Sequence, residues 1–413
     1  MLFKVLACML ILVSSVYAQS QRLPEIVVEA EQLVEDKAKV SIKSETLPSQ
    51  VQIITKEDIE RLDAKDFLDI FRKTPGVHIR PYVQGDVGNG FQIRGHGMAH
   101  GQNVAIFIDG VPQNYPSVAQ GGNGMAEVSW LTPELIERIE IIKGPFSALY
   151  GNFALGGVVN IITKRKDTSP LVSVSGGSFG AHRGLVMISK ETWQPTPLVS
   201  FEYYSIDGYR DNSDYRKMLF FPKITLPILD GNLSARLSYY KSDWRAAGWL
   251  RINEVKDGAV SRKSAFNPTD NGEHERYTLV MNYTPRSGEK GLYMDAYIEG
   301  YEKHRIAQFR GSGQTEQEDD RMIYGGKIYY NLIPTDRLAV TPGIEIRYDS
   351  GDARVHPTAN GQRTGNPTSD WGIKQLNLSA FLQAQAKIIE QIKLVGGVRY
   401  DYFITLISMC KTG

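Results

Sequence analysis

"GLYMDAYIEG", Gly291–Gly300, alternates with a period of two. Leu292, Met294, Ala296 and Ile298 fall on one side, and Tyr293, Asp295, Tyr297 and Glu299 on the other. Successive side chains of a strand point to opposite faces, so this pattern describes a strand between an apolar and a polar environment. "NLSARLSYY" (Asn232–Tyr240) repeats it, with Leu233, Ala235, Leu237 and Tyr239 opposing Ser234, Arg236 and Ser238. Similar segments recur near 171–179, 183–190, 198–206, 216–226, 276–284, 321–331, 337–349, 374–387 and 391–401. Short turns such as "DGN" (Asp230–Asn232) alternate with long polar connections such as Ala246–Asn271 and Gln308–Asp320. One such segment is a weak signal; eleven in succession predict an antiparallel meander.

The start of the chain suggests where that meander resides. Lys4, the apolar run Val5–Val16 and "VYA" before Gln19 form a signal peptide over residues 1–18, cut after Ala18. The run is shorter than the roughly 18–20 apolar residues that span a bilayer as a helix. "VLAC" (Val5–Cys8) comes too early for a lipoprotein site. Beyond the signal no apolar stretch reaches helix-spanning length. For an exported chain, apolar-out, polar-in segments with connections alternately short and long are the pattern of an outer-membrane β-barrel. A secreted β-sandwich or β-helix is the alternative that the segments alone leave open. The 47 basic and 46 acidic residues nearly cancel, which argues against nucleic acid as the main partner. Of the two cysteines, Cys8 leaves with the signal and Cys410 stays alone, so the mature chain has no intrachain disulfide.

Residues 47–165 read differently, as a small mixed α/β domain. "VQIIT" (Val51–Thr55) is a strand, and Thr55 with Asp58 has capping-box spacing for a helix over Lys56–Leu62. A second helix is expected over Lys65–Lys73, ended by "TPG" (Thr74–Gly76). "VHIR" (Val77–Arg80), "FQIRG" (Phe91–Gly95) and "VAIFIDG" (Val104–Gly110) are short strands, the last closing on Asp109-Gly110, a hairpin-turn pair. Pro133 opens a further helix, "RIEIIKG" (Arg138–Gly144) is a strand, and "ALYGNFALGGVVNIITK" (Ala148–Lys164) ends the domain with a glycine-rich bend and a strand.

Two glycine-rich stretches interrupt these elements, "PYVQGDVGNG" (Pro81–Gly90) and "PQNYPSVAQGGNGMAE" (Pro112–Glu127). They read either as plain surface loops or as loop tips presenting Tyr82, Gln84, Asn114 and Tyr115 to a ligand. His96 and His100 stand four apart in "GHGMAH", but the glycines disfavour the helix that would aim both at one metal. No Ser/His/Asp, CxxC or phosphate-loop arrangement appears, so neither a catalytic centre, a metal site nor a cofactor is expected.

"LPEIVVEA", upstream of this domain, is a half-apolar strand with polar surroundings on both sides. It reads as a strand waiting for a sheet edge, or as a frayed terminus. From here to Lys164 the chain resembles the TonB-dependent outer-membrane receptors. "LPEIVVEA" is similar to their TonB box, and "LPSQVQIITKEDIERLDAKDFLDIFRKTPGV" to the start of their plug domain. "FQIRG", "VAIFIDGVP" and "ERIEIIKGPFSALYGNFALGGVVNIITK" follow their successive plug motifs in order. The later strands agree with the family barrel in pattern only.

The resemblance implies a mixed α/β plug domain followed by an antiparallel transmembrane β-barrel in the cell outer membrane. Residues 19–46 would be the TonB box and linker, 47–165 the plug and 166–413 the barrel. It implies active uptake of a metal chelate, most simply a ferric siderophore, with cobalamin, haem or a signalling role as alternatives within the family. It implies TonB as the periplasmic partner, gripping Leu23, Pro24, Glu25, Ile26, Val27, Val28, Glu29 and Ala30 by strand addition. It also implies that Arg94 and Arg138 pair with barrel glutamates to seat the plug, against the alternative of ordinary solvated charge. About 250 residues follow Lys166, half of what a 22-stranded barrel needs at about twenty residues per strand and connection. The barrel is therefore expected to be truncated to about half its strands, a non-transporting fragment or a half that closes by oligomerising.

Overall fold

A computed structural model describes residues 51–409 apart from residues 83, 98–101, 117–118, 120–123, 168 and 390–391. The signal peptide, the segment Leu23–Ala30 and His100 lie outside the described residues. The plug opens with β1 (Val51–Thr55) running into α1 (Lys56–Leu62). The Thr55 hydroxyl accepts from the Asp58 amide at 3.2 Å while Asp58 accepts from the Thr55 amide at 3.1 Å, the reciprocal cap that the spacing foretold. β2 (Val77–Arg80) pairs with β3 (Gly90–Ile93). β4 (Val104–Ile108) turns through Asp109 (φ 49°) and Gly110 (φ 83°) into β5 (Val111–Pro112). Two consecutive positive φ angles make a type I′ turn, the form that Asp-Gly supplies at least strain. The short pair β6 (Asn114–Tyr115) and β7 (Met125–Ala126) precedes β8 (Ile136–Ile142) and β9 (Gly157–Thr163).

These strands form a sheet in the order β1-β8-β9-β4-β5, with β4 and β9 parallel. Every residue of β4 and β9 is buried, which is why β4 reads as an unbroken apolar run and β9 as one interrupted only by Asn160 before its terminal Thr163. Two expected helices shrink. Lys65–Lys73 holds a 3-10 helix over Leu68–Lys73, where Asp66 accepts from the Asp69 amide and Asp69 from the Lys65 amide. Those bonds serve first-turn amides in the manner of an N-cap, and the helix they open is the short 3-10 form. Pro133 starts a single 3-10 turn, Pro133–Leu135, that passes directly into β8.

The meander expected from the alternating segments is present, strand for strand. It runs β10 (Leu171–Gly177), β11 (Ala181–Ser189), β12 (Thr196–Ile206), β13 (Tyr215–Ile228) and β14 (Gly231–Arg245). After a loop holding α2 (Ile252–Lys256) come β15 (Asn271–Pro285), β16 (Gly291–Gln308), β17 (Gln314–Thr335), β18 (Leu338–Ala359), the short β19 (Gln362–Arg363), β20 (Ser369–Ile389) and β21 (Ile392–Met409). Each strand pairs antiparallel with the next, and β19 folds back on β18. Several strands far exceed the ten-residue segments legible in sequence. The connection expected over Gln308–Asp320 is a turn at 309–313, because β17 already begins at Gln314.

Register sets the two faces of this wall. Leu237, Leu279, Ile298 and Tyr324 lie side by side across β14–β17 and are all exposed. One residue along, Ser238, Thr278 and Glu299 form a buried row against the plug. In lipid every backbone polar group needs a partner, which these ladders supply within the wall. The sheet order begins at β10 and ends at β21.

Candidate functional site

The plug is seated on the polar face of the wall by buried ion pairs. Asp109, fixed by its turn, accepts from the Thr163 amide at 3.0 Å and hydroxyl at 2.6 Å. The same carboxylate stands 3.1 Å from Arg236 Nε and 3.5 Å from Lys223 Nζ of the wall. Glu127 pairs with Lys303 and accepts from the Tyr301 hydroxyl at 3.1 Å. Glu134 holds the Arg183 guanidinium through two bonds of 2.7 and 2.9 Å, a bidentate geometry.

Asp86 is the most heavily ligated of these acids. It accepts from Tyr240 at 2.9 Å, Ser242 at 2.9 Å, His274 Nδ1 at 2.7 Å and the Ser129 hydroxyl. Burial by itself would raise its pKa. Positive charge on His274, Lys303 and the hydroxyl donors outweigh that and hold it well below the ordinary carboxylate range.

The ion pairs of the seat run from plug acids to wall bases, a different set from the expected pairing of Arg94 and Arg138 with wall glutamates. The plug contributes carboxylates and the wall contributes cations. Arg138 Nε pairs at 2.9 Å with Glu140, two residues along its own strand and on the same face. Arg94 donates to the Lys143 carbonyl at 3.3 Å, also within the plug.

The four residues expected at ligand-facing loop tips separate into two pairs. Asn114 is buried, accepting from the Ile106 amide at 2.8 Å and donating to the Val104 and Gly124 carbonyls at 2.9 and 3.0 Å. Its side chain acts as a spacer between plug segments. Tyr115 is buried too and donates at 2.8 Å to Glu299, which in turn pairs with Arg276.

Tyr82 and Gln84 lie instead at the wide-loop end of the wall. Gln84 accepts from the Gly248 amide at 3.1 Å, pinning the plug loop to the β14–β15 connection. The Tyr82 ring is 6.4 Å from Trp249, which is 5.9 Å from Phe309. Trp249 is 52% exposed and Phe309 38%. Guanidinium groups flank this aromatic line: Arg80 is 5.7 Å from the Tyr82 ring centre and Arg305 5.4 Å from that of Phe309. Arg310 is 4.7 Å from the ring of Phe266 and pairs with Glu254 of α2. Arg210 braces the long connection by donating to the carbonyls of Ala247, Gly248 and Ser264. Exposed rings beside cations at one mouth can stack on flat groups and neutralise anionic ones. Sequence reading passed over Trp249, Phe309 and Arg310 as parts of polar connections, although an exposed tryptophan in a long loop was the available signal.

The family model of the TonB-dependent receptor plug domain matches residues 43–158. The ferrienterobactin receptor of Escherichia coli K12 is 44% identical over 122 residues, 28% of this chain and 16% of that protein. The ferric enterobactin receptor PirA of Pseudomonas aeruginosa is 39% identical over 159 residues, 36% of this chain and 21% of that protein. Among solved structures, the unliganded ferric citrate transporter FecA superposes with a TM-score of 0.74 at 17% identity, covering 90% of this chain and 58% of its own. The chain thus spans little more than half of that structure, and its matched stretches about a fifth or less of the two curated relatives. Residues 43–158 thus carry the plug domain of TonB-dependent receptors, followed by a wall of antiparallel strands with one face turned to that plug.

Proposed function

We propose that this chain forms the plug and ligand-facing wall of a receptor that takes up a ferric siderophore, with energy delivered through TonB. The carrying observation is the mouth: Tyr82, Trp249 and Phe309 in line, with Arg80 beside the first ring, Arg305 beside the last and Arg310 over the neighbouring Phe266. An anionic chelate with flat iron-binding groups suits that chemistry better than a neutral ligand. The two curated relatives carry names of ferric enterobactin receptors, which supports the same class. TonB would add its sheet edge to Leu23–Ala30, each main-chain hydrogen bond contributing about 0.5–1.5 kcal/mol, so that the pairing is reversible yet able to transmit pull.

The test reads binding and uptake separately. Titrating a ferric catecholate chelate should quench the fluorescence of the purified protein, and Trp249→Ala should weaken binding about tenfold, in line with a loss of about 1–1.5 kcal/mol for an aromatic contact. Ile26→Pro, in cells carrying the receptor gene, should abolish uptake and leave binding intact, since proline removes a ladder donor. Saturable binding of haem or cobalamin but not of any ferric chelate refutes the siderophore reading. Unimpaired uptake by Ile26→Pro refutes the TonB-box assignment.

A further inference from the structure

On the opposite face of the wall, the fold gathers a cluster that no sequence motif announces. Lys303 reaches Glu127 in the plug, so His304, the next residue of β16, faces outward. Register places His304 opposite Glu318 and Glu316 opposite His356, which puts all four on the outer face of β16, β17 and β18. One possible ligand atom from each of His304, Glu316 and Glu318 lies within 4.8 Å of the others.

Two further residues shape this cluster. Arg363 of β19 grips Glu316 through Oε2 and Oε1 and Glu318 through Oε1, which leaves Glu318 Oε2 turned toward His356. His356 is 8% exposed, and its Nδ1 has no hydrogen-bond partner. Its Nε2 stands 3.8 Å from Glu318 Oε2, beyond hydrogen-bond reach. The unpartnered nitrogen is Nδ1, and a buried ring nitrogen without a hydrogen bond beside this cluster calls for a partner.

We infer that His304, Glu316 and Glu318, with His356 beside them, bind a divalent transition-metal cation of the zinc type on the outer face of the wall. Imidazole nitrogens and carboxylate oxygens from a compact site are zinc's ligands, whereas magnesium and calcium select oxygen alone. Arg363 holds both Glu316 oxygens and Glu318 Oε1, and His304 Nε2 meets Glu316 Oε1. A cation would therefore enter between His304 Nε2 and Glu318 Oε2 and share Glu316 with the guanidinium, which would orient the carboxylates as an outer-sphere partner. The cluster lies six residues beyond lipid-facing Ile298 on β16, about 20 Å along the strand at about 3.3 Å per residue. It stands just before the 309–313 turn that carries Phe309 and Arg310 to the mouth. A bound cation would tie β16, β17 and β18 together at the root of that turn.

Isothermal titration of chelator-stripped, purified protein with zinc chloride and with magnesium chloride tests this directly. One zinc per chain should bind, with no magnesium heat, and cobalt should give the visible absorption of a low-coordinate nitrogen–oxygen site. The double variant His304→Ala, Glu318→Gln should weaken zinc by about tenfold or more. His78→Ala, on plug strand β2, should leave it unchanged. Because the double variant alters outward-facing side chains, its folding is verified by ligand-free tryptophan emission matching the parent. Absence of saturable zinc binding, or equal binding by the folded double variant, overturns the inference and leaves the cluster as an ion-pair network around Arg363.

Discussion

Asp86→Ala would strip four donors of their common acceptor. Tyr240, Ser242, His274 and Ser129 all converge on this carboxylate, and each is left facing a buried void. Removing one member of a buried charged cluster costs about 3–5 kcal/mol, because the remaining polar groups stay desolvated and unpaired. With a urea slope of about 3 kcal/mol/M, the unfolding midpoint should fall by about 1–1.7 M. Trp244 and Trp130 line the seam, as the Lys303 and Arg276 cations beside their rings show, so tryptophan emission follows the transition.

Asp86→Asn keeps the shape and loses only the charge, so its midpoint should fall less. The pH dependence has a fixed sign. The folded pKa of Asp86 lies below its unfolded value of about 3.9, so its stabilisation is complete above that pH and is lost as pH falls further. The gap between parent and Asp86→Asn should therefore hold from pH 7 to about 5 and narrow below about 4. A midpoint shift under about 0.3 M for Asp86→Ala would refute the reasoning and reduce the seat to general packing.

Two other perturbations probe the mouth loop and the lipid face. Gly85 has φ +72°, and a Cβ there would lie 1.8 Å from Trp244 Cδ1 of a buried indole. Gly85→Ala should cost about 1–3 kcal/mol in the same urea titration and displace the Tyr82 loop, seen as weaker chelate binding. Ile344 points outward from β18 and is 59% exposed. Ile344→Arg should lower the stability of protein refolded into phosphatidylcholine vesicles by up to about 2–4 kcal/mol, the cost of arginine near the bilayer midplane. No change in vesicles would mean that this face does not meet lipid.

Local chemistry made much of this fold readable in advance. The period-two segments lie at the strands of the wall because one face meets lipid and the other the plug. Thr55 with Asp58, and Asp109 with Gly110, act within a few residues of themselves, so their spacing sufficed. The element expected over Lys65–Lys73 starts later and winds as a 3-10 helix over Leu68–Lys73, a difference in winding that apolar periodicity over two turns does not report. The strand lengths were underread because the ends of β16, β17 and β18 are rich in charge. Glu302, Glu316, Glu318 and Asp320 look like a loop when ladder pairing is not visible.

What sits opposite what could not be read from one strand at a time. The order of apolar and polar residues determined the wall, its two faces and the plug that precedes it, since burial and alternation are properties of short segments. Only tertiary structure decided that plug carboxylates meet wall cations, that Asn114 and Tyr115 pack within the seam while Tyr82 and the likewise buried Gln84 lie at the wide-loop end, and that two histidines and two glutamates share the outer face. Each of these depends on register between strands distant in sequence. A shift of one residue in that register would turn every such side chain to the other face.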